Sequence, residues 1–188
     1  MKIVGLSGSI VGSKTRTAMD YTMESLKRQY PEAETTLIDL ADYQVQFSDG
    51  RNYLDYDGDT KYVTETIMNA DAIIIGTPIF QASIPATLKN IFDLLPVDAF
   101  RDKVVGMLAT AGSAKHYLII EQHLKSILGY MKAQIVQTYV FIEEVDFHRK
   151  EIVNHDVLAR IDRLVEDTVV LSETYQEIKQ KKEDQYDF

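Results

Sequence analysis

The central apolar run of the chain restricts its fold more than any other feature. Residues 72–76 read Ala-Ile-Ile-Ile-Gly, without one polar side chain. A strand with one face in water alternates apolar and polar residues, whereas a parallel strand that is covered on both faces is continuously apolar. The run therefore predicts a central strand of a parallel sheet, with helices on both sides of it.

Other segments repeat this arrangement along the chain. Four more segments have the composition of strands, namely 3–6, 35–40, 103–109 and 133–141. Helical spacing of apolar residues marks the segments 15–30, 60–69, 84–95, 115–130 and 155–179. Strands that alternate with helices predict a doubly wound α/β fold, a three-layer sandwich with a five-stranded parallel sheet and helices on both faces. We expect one domain over residues 1–180 and a flexible tail over residues 181–188.

Composition excludes several classes of function. The chain has 188 residues and a formal net charge of −9, so a nucleic acid would be repelled through its phosphates. There is no cysteine, which excludes disulfides, thiolate chemistry and cysteine-bound metal. No segment reaches the roughly 18 apolar residues of a membrane span, and no signal peptide is recognisable. We expect a cytoplasmic protein that binds neither nucleic acid nor membranes.

The loop after the first strand has the composition of a phosphate site. Residues 7–17 combine serine, glycine and threonine with Lys14 and Arg16, and a helix follows at once. Backbone N–H groups at a helix start, hydroxyl donors and the helix dipole all favour a bound anion. The loop has neither the Gly-Lys-Ser/Thr ending of an NTPase nor the G-x-G-x-x-G spacing of a dinucleotide site. A single phosphate, such as that of a mononucleotide, is one interpretation, and an ordinary strand-to-helix connection is the other.

Two further loops are expected at the same edge of the sheet. Ligands of open parallel sheets bind beyond the carboxyl ends of the strands, and there the loops 77–83 and 110–113 converge with the first loop. Ile79, Phe80 and Gln81 offer a flat apolar surface beside backbone polar groups, which suits a planar ring. The alternative is that these side chains are ordinary core or interface residues.

Three motifs therefore lie in a fixed order along the chain. They are the first loop, then Thr77-Pro78-Ile79-Phe80 with Leu88-Lys89-Asn90-Ile91-Phe92-Asp93, and then Ala109-Thr110-Ala111-Gly112-Ser113. Together they resemble the NAD(P)H-dependent FMN reductases of the flavodoxin-like fold. Segments 93–96, 103–105 and 128–133 are most similar to the branch that supplies reduced FMN to alkanesulfonate monooxygenases. The similarity extends over residues 2–145.

The resemblance assigns residues to a cofactor site. It implies that the FMN phosphate lies among Ser9, Ser13, Lys14, Thr15, Arg16 and Thr17, the isoalloxazine against Pro78, Ile79, Phe80 and Gln81, and the pyrimidine edge beside Thr110, Ala111, Gly112 and Ser113. Phe80 stands where the family commonly has tyrosine, and Ala86 and Ala111 stand where it commonly has glycine. These departures concern the ring and leave the phosphate donors intact.

The resemblance also implies an activity. NAD(P)H would pass hydride to N5 of FMN, and a second acceptor, namely free flavin, a quinone or an azo compound, would then be reduced. Because the flavin supplies the redox chemistry, no catalytic side chain and no metal ligand are expected. The family further implies a homodimer or homotetramer, and a flavin-dependent monooxygenase as a partner. In the sulfonate-linked branch a π-bulge at a tetramer interface interrupts the helix predicted over 115–130, and His123 falls near that point.

A flavodoxin-type electron carrier, which binds FMN but has no nicotinamide site, is the alternative function. Such carriers usually flank the flavin with two aromatic residues, and only Phe80 is placed to do so here. A phosphoacceptor receiver domain is excluded, because it needs an acidic pair after the first strand and an aspartate at the end of the third. This chain has Ser7, Gly8 and Ser9 at the first place and Thr77 at the second.

Overall fold

A parallel sheet forms the centre of the molecule. In the computed structural model, which describes residues 1–185, its strands are β1 (Lys2–Ser7), β2 (Glu34–Asp39), β3 (Ala72–Pro78), β4 (Val104–Ala111), β5 (Gln134–Ile135) and β6 (Val140–Glu143). The strand order is β2-β1-β3-β4, with β5 and β6 both beside β4, and these pairs are all parallel. All of β3 is buried, so the apolar run occupies the central position that the sequence predicts.

Helices cover both faces of this sheet. They are α1 (Lys14–Gln29), α2 (Gly58–Met68), α3 (Ala86–Leu94), α4 (Lys125–Tyr130) and α5 (His155–Glu183). Apolar side chains of α2, α3 and α4 pack in one core layer, and those of α1 and α5 pack in the other. A small antiparallel hairpin of β7 (Phe147–His148) and β8 (Glu151–Ile152) precedes α5. The prediction of a flavodoxin-like three-layer sandwich is confirmed. None of the described helices has the length and apolar character needed to cross a membrane.

The fifth strand is interrupted, although the sequence predicts one strand over 133–141. Ile135 is in register with Val105, and Val140 is in register with Leu108. Four residues lie between Ile135 and Val140, but only two lie between their partners Val105 and Leu108 on β4. The two additional residues leave the ladder, as in a β-bulge, and the strand continues as β6 toward the carboxyl edge.

The helix predicted over 115–130 is not a regular α-helix. A 3₁₀ turn spans Ala114–His116, a π-helical segment spans Ile120–Leu124, and the helix α4 follows from Lys125. The π-helical segment contains His123, as the resemblance implies. Apolar spacing alone predicts the regular helix, because one extra residue in a single turn hardly changes the pattern.

The last helix is longer than predicted. It continues to Glu183, so residues 181–183 of the expected tail are helical, while residues 186–188 lie outside the described residues. The flexibility of 181–188 in solution and the single domain over 1–180 stay predictions.

Candidate functional site

An open pocket of about 360 Å³ lies at the carboxyl edge of the sheet, where the three loops meet. Its lining residues are Val11, Gly12, Ser13, Lys14, Thr15, Pro78, Ile79, Phe80, Thr110, Ala111 and Gly112. Nine of the fourteen residues that the resemblance assigns to the site are in this set. The other five, which do not line the pocket, are Ser9, Arg16, Thr17, Gln81 and Ser113.

The amino end of α1 opens into the pocket without a side-chain cap. Ser13 is the N-cap residue, yet its hydroxyl makes no capping hydrogen bond, and the first turn contains no acidic residue. The first N–H groups of a helix have no partner inside the helix, and the helix dipole makes this end positive. Gly12 adopts a φ of +80°, and a Cβ at this position would meet no atom within 4 Å. The start of α1 is thus accessible to an anion from the pocket.

Hydrogen bonds of two hydroxyl side chains, those of Ser9 and Thr15, stabilise the first loop and the start of α1 beside the pocket. The Ser9 hydroxyl donates to Val11 O at 2.7 Å and accepts from Val11 N at 3.1 Å, which closes the loop on itself. The Thr15 hydroxyl lies 2.7 Å from that of Thr110 and is buried with it. This pair joins the first turn of α1 to the end of β4. One of the two hydroxyl protons serves the pair, so the other remains available to a ligand.

Thr17 faces away from this pocket. It lines a separate cavity of about 400 Å³ together with Tyr21, Lys150 and Leu158, between α1 and the β7–β8 hairpin. Thr17 lies a full turn beyond the end of the helix that faces the pocket, which explains the difference from the expectation. Its assignment to the phosphate has no support in the geometry.

The two cations of the first loop already have carboxylate partners. Lys14 Nζ donates to Glu144 Oε1 at 2.5 Å. Arg16 donates from Nε to Asp20 at 2.8 Å, and from Nη1 to Asp39 at 2.7 Å and to Asp42 at 3.2 Å. The hydrogen bonds to Asp39 and then Asp20 raise the pKa of Arg16 above its ordinary value. Arg16 therefore joins the first loop to the end of β2.

A strained turn carries the apolar shelf. Phe80 and Ser83 exchange two backbone hydrogen bonds of 3.0 Å each, and both residues between them have positive φ angles, 48° for Gln81 and 55° for Ala82. A residue other than glycine in this region is held at a cost of about 1–3 kcal/mol, and such residues cluster at ligand sites. Phe80, which is 42% exposed, lines the pocket, whereas Gln81 does not.

The shelf and the third loop are joined at backbone level. Ile79 N donates to Thr110 O at 3.2 Å, and Pro78 is in register with Thr110 at the ends of β3 and β4. The pocket thus has an apolar side at Pro78–Phe80 and a backbone-rich side at Thr110–Gly112. Ser113 begins the following 3₁₀ turn and makes no side-chain capping bond there.

Sequence reasoning missed four residues of this region. Val11 and Gly12 line the pocket, and Gly12 has a detectable signal, since glycine in a loop between strand and helix often marks a positive φ. Thr87 of α3 donates to Gly8 O at 3.0 Å and supports the loop. Glu144, which pairs with Lys14, gives no local signal because it lies 130 positions away.

Among residues 1–185 no three or more histidine, aspartate or glutamate side chains are grouped as possible metal ligands. His123 has a different contact, since its Nδ1 lies 2.9 Å from the hydroxyl of Ser83. Ser83 closes the strained turn, so the π-helical segment is connected to the apolar shelf by one hydrogen bond.

Comparison with known proteins decides the family. Residues 1–146 match the family that is described as NADPH-dependent FMN reductase. The chain belongs to the NADPH-dependent FMN reductase family. The three loops that meet at the pocket all lie within this matched part, whereas the β7–β8 hairpin and α5 follow it.

Individual relatives and a solved structure support the same family assignment. It is 42% identical over 170 residues to the NAD(P)H-dependent FAD/FMN reductase of Geobacillus thermodenitrificans, covering 90% of this chain and 92% of the relative. It is 35% identical over 109 residues to FMN reductase (NADPH) of Escherichia coli, covering 56% and 57%. The apo crystal structure of the NADH:FMN oxidoreductase EMOB has a TM-score of 0.74 and 27% identity, covering 88% of this chain and 86% of that one.

These findings confirm the predicted family and its activity. The chain is an NAD(P)H-dependent FMN reductase, an oxidoreductase that uses FMN and NAD(P)H. They favour the reductase over the alternative electron carrier. The particular residues that hold the cofactor stay a prediction, for which the pocket supplies the geometry.

Proposed function

We propose that this FMN reductase binds FMN in the pocket at the carboxyl edge and reduces a second acceptor, namely free flavin, a quinone or an azo compound. The observation that carries the proposal is the uncapped amino end of α1, free of acidic residues in its first turn and open to the pocket. When bound, the flavin accepts hydride from NAD(P)H and passes electrons on. The protein supplies the position and the electrostatic environment.

The residues that line the pocket divide into three parts with different tasks. Ser13, Lys14 and Thr15 would hold the phosphate with the first N–H groups of α1. Pro78–Phe80 would support the isoalloxazine on an apolar surface, and Thr110–Gly112 would bind its polar edge through backbone groups. The described lining contains no aspartate, glutamate or histidine. The titratable side chain of the lining, Lys14, is paired with Glu144, so the side chains of the pocket would bind and orient the flavin.

Ser13→Ala tests the phosphate position. The substitution removes a hydroxyl donor that caps nothing in the fold, so we expect FMN binding to weaken by about 0.5–1.5 kcal/mol with little change in stability. Flavin fluorescence titration measures the first effect and thermal unfolding the second. Thr174→Ala is a control, because the Thr174 hydroxyl bonds to the Val170 carbonyl on the exposed side of α5, away from the pocket. Unchanged FMN affinity in the Ser13 variant would show that the Ser13 hydroxyl does not bind the phosphate.

The electron-carrier alternative is tested by turnover. The protein loaded with FMN is titrated anaerobically with NADPH and NADH, and the flavin absorbance is followed. We expect the visible absorbance to bleach within the mixing time of a steady-state assay. A carrier without a nicotinamide site would leave it unbleached.

We further propose that the protein is cytoplasmic, that it assembles as a homodimer or homotetramer through the face formed by α3 and α4, and that a flavin-dependent monooxygenase is its partner. Two cavities on this face support its assignment as the oligomer interface. One, of about 490 Å³, is lined largely by apolar side chains that include Phe92, Val97 and Tyr130. The other, of about 480 Å³, includes Ile84 and His123.

His123→Ala tests this face and its connection to the flavin site. The substitution removes the contact with the Ser83 hydroxyl, so we expect a smaller species in solution and FMN retention lowered about two- to fivefold, the loss of one neutral hydrogen bond. Analytical ultracentrifugation and flavin retention on a desalting column measure the two effects. Lys132→Ala, just beyond α4, serves as a surface control. Wild-type behaviour in both measurements would refute the role of His123.

A further inference from the structure

The first loop, beside the pocket, has an unusual charge arrangement. Its cations Lys14 and Arg16 lie within 4 Å of four carboxylates, those of Glu144, Asp20, Asp39 and Asp42. A dianionic ligand at the start of α1 would therefore meet cations whose charge is already compensated. The affinity of this loop for a phosphate depends on which of these carboxylates can be displaced from its cation.

Glu144 is the carboxylate that a ligand can most readily displace. Its side chain is 65% exposed and its ion pair is with Lys14, which lines the pocket. The Asp39 side chain, in contrast, is only 7% exposed and also accepts a hydrogen bond from Ala41 N, so it belongs to the fold. An exposed ion pair contributes little to stability and can open at small cost.

The backbone fixes Glu144 beside the pocket. Glu143, the last residue of β6, is in register with Ala111 of the pocket lining. Glu143 N donates to Asp146 Oδ2 at 2.8 Å, and Asn154 Nδ2 donates to Asp146 Oδ1 at 2.7 Å. These bonds hold the turn that follows β6. Glu144 is thus presented to Lys14 by an ordered turn at the mouth of the site.

We propose that Glu144 competes with the flavin phosphate for Lys14 and thereby sets how tightly the site holds FMN. The inference rests on the proposed position of FMN. To bind the phosphate, Lys14 must exchange one anion for another, and the displaced carboxylate remains close to the dianion. Both effects weaken FMN. Riboflavin has no phosphate and does not experience them, so Glu144 lowers the preference of the site for FMN over riboflavin and favours release of FMN.

Affinities for FMN and riboflavin, measured in parallel by flavin fluorescence, test the proposal. Glu144→Gln keeps the size of the side chain and removes its charge, so we expect FMN to bind about two- to fivefold more tightly, as for an exposed charge pair. Riboflavin affinity should not change. The gain should diminish with added salt, since exposed charges are screened. Glu151→Gln, on the neighbouring hairpin, is the matched control and should leave both affinities unchanged.

Two results would overturn the competition. Either FMN affinity stays the same in the Glu144 variant, or both flavins change by the same factor, which indicates a structural effect. Lys14→Ala separates this failure from a failure of the proposed function. If Lys14→Ala leaves the preference for FMN over riboflavin intact, Lys14 does not bind the phosphate, and the part of the proposed function that places the phosphate at Lys14 is wrong. If it lowers that preference while Glu144→Gln does not raise it, only the competition is wrong.

Discussion

Gly76→Val is expected to destabilise the fold by about 1–3 kcal/mol, as overpacking of a core does, and to weaken FMN binding with it. A Cβ at Gly76 would lie 2.5 Å from Met19 Sδ and 2.6 Å from Met19 Cγ. Met19 belongs to α1 and is fully buried, so its side chain has no route into solvent. Valine would add two methyl groups beyond this Cβ, and α1 would have to move away from the sheet.

The loss of FMN affinity follows from the same contact. α1 rests on the sheet at Gly76, and Gly8 N, at the start of the first loop, donates to Gly76 O at 2.8 Å. A displacement of α1 therefore moves its amino end relative to Pro78 and Thr110, on the other sides of the pocket. We expect urea unfolding to show the stability change and fluorescence titration to show the weaker binding.

Two variants control this experiment. Gly129→Ala adds a Cβ where no atom lies within 4 Å, so it should leave FMN affinity unchanged and not lower stability. Met19→Ala creates room beside Gly76, so combining it with Gly76→Val should destabilise less than the sum of the two single changes. Strict additivity, or a Gly76→Val variant as stable as wild type, would show that α1 does not rest on this strand.

The sequence predicts the parts of the fold that depend on burial. The run at 72–76 can be assigned because a central strand needs apolar side chains on both faces, and the sheet of five parallel strands follows from it. The break between Ile135 and Val140 cannot be assigned, because both halves have strand composition and only the register against β4 reveals the additional residues. The local composition of a strand does not determine its register against the neighbouring strand.

The candidate site divides in the same way. Ser13 and Phe80 could be placed from the sequence, since each lies at the end of a predicted strand or at the start of a predicted helix. The pairing of Lys14 with Glu144, and of Arg16 with Asp39, could not, because each joins residues from different strand ends. Such contacts depend on the strand order and on rotamers, which apolar periodicity leaves open.

Arg16→Ala is expected to lower both stability and FMN affinity. Loss of the guanidinium leaves the Asp39 carboxylate, which is 7% exposed, without the cation at 2.7 Å. An unsatisfied buried acceptor costs about 1–3 kcal/mol, and Asp20 and Asp42 would add repulsion to it. The loop after β2 and the first turn of α1 would also lose the side chain that joins them.

The effect on FMN has a separate physical reason. The carboxylates bond to Nε and Nη1 of Arg16 in the described part of the chain, while a guanidinium carries five N–H donors. Nη2 retains donors for an anion at the start of α1, although Arg16 does not line the pocket. Loss of a charge-assisted hydrogen bond at this place would weaken FMN by about 1–3 kcal/mol. Fluorescence titration with FMN measures this loss.

Riboflavin separates the two roles of Arg16. If Arg16 only supports the loop, Arg16→Ala lowers stability and weakens FMN and riboflavin by the same factor. If its charge also acts on the phosphate, FMN is weakened more than riboflavin, and Arg16→Lys restores part of the difference because it keeps the charge but not the fork that serves Asp39. Wild-type FMN affinity in Arg16→Ala would show that the Arg16 side chain does not act on the phosphate. The first turn of α1 would then bind the phosphate through its backbone, Ser13 and Lys14, and the competition between Glu144 and the phosphate would concern the one cation left in the site.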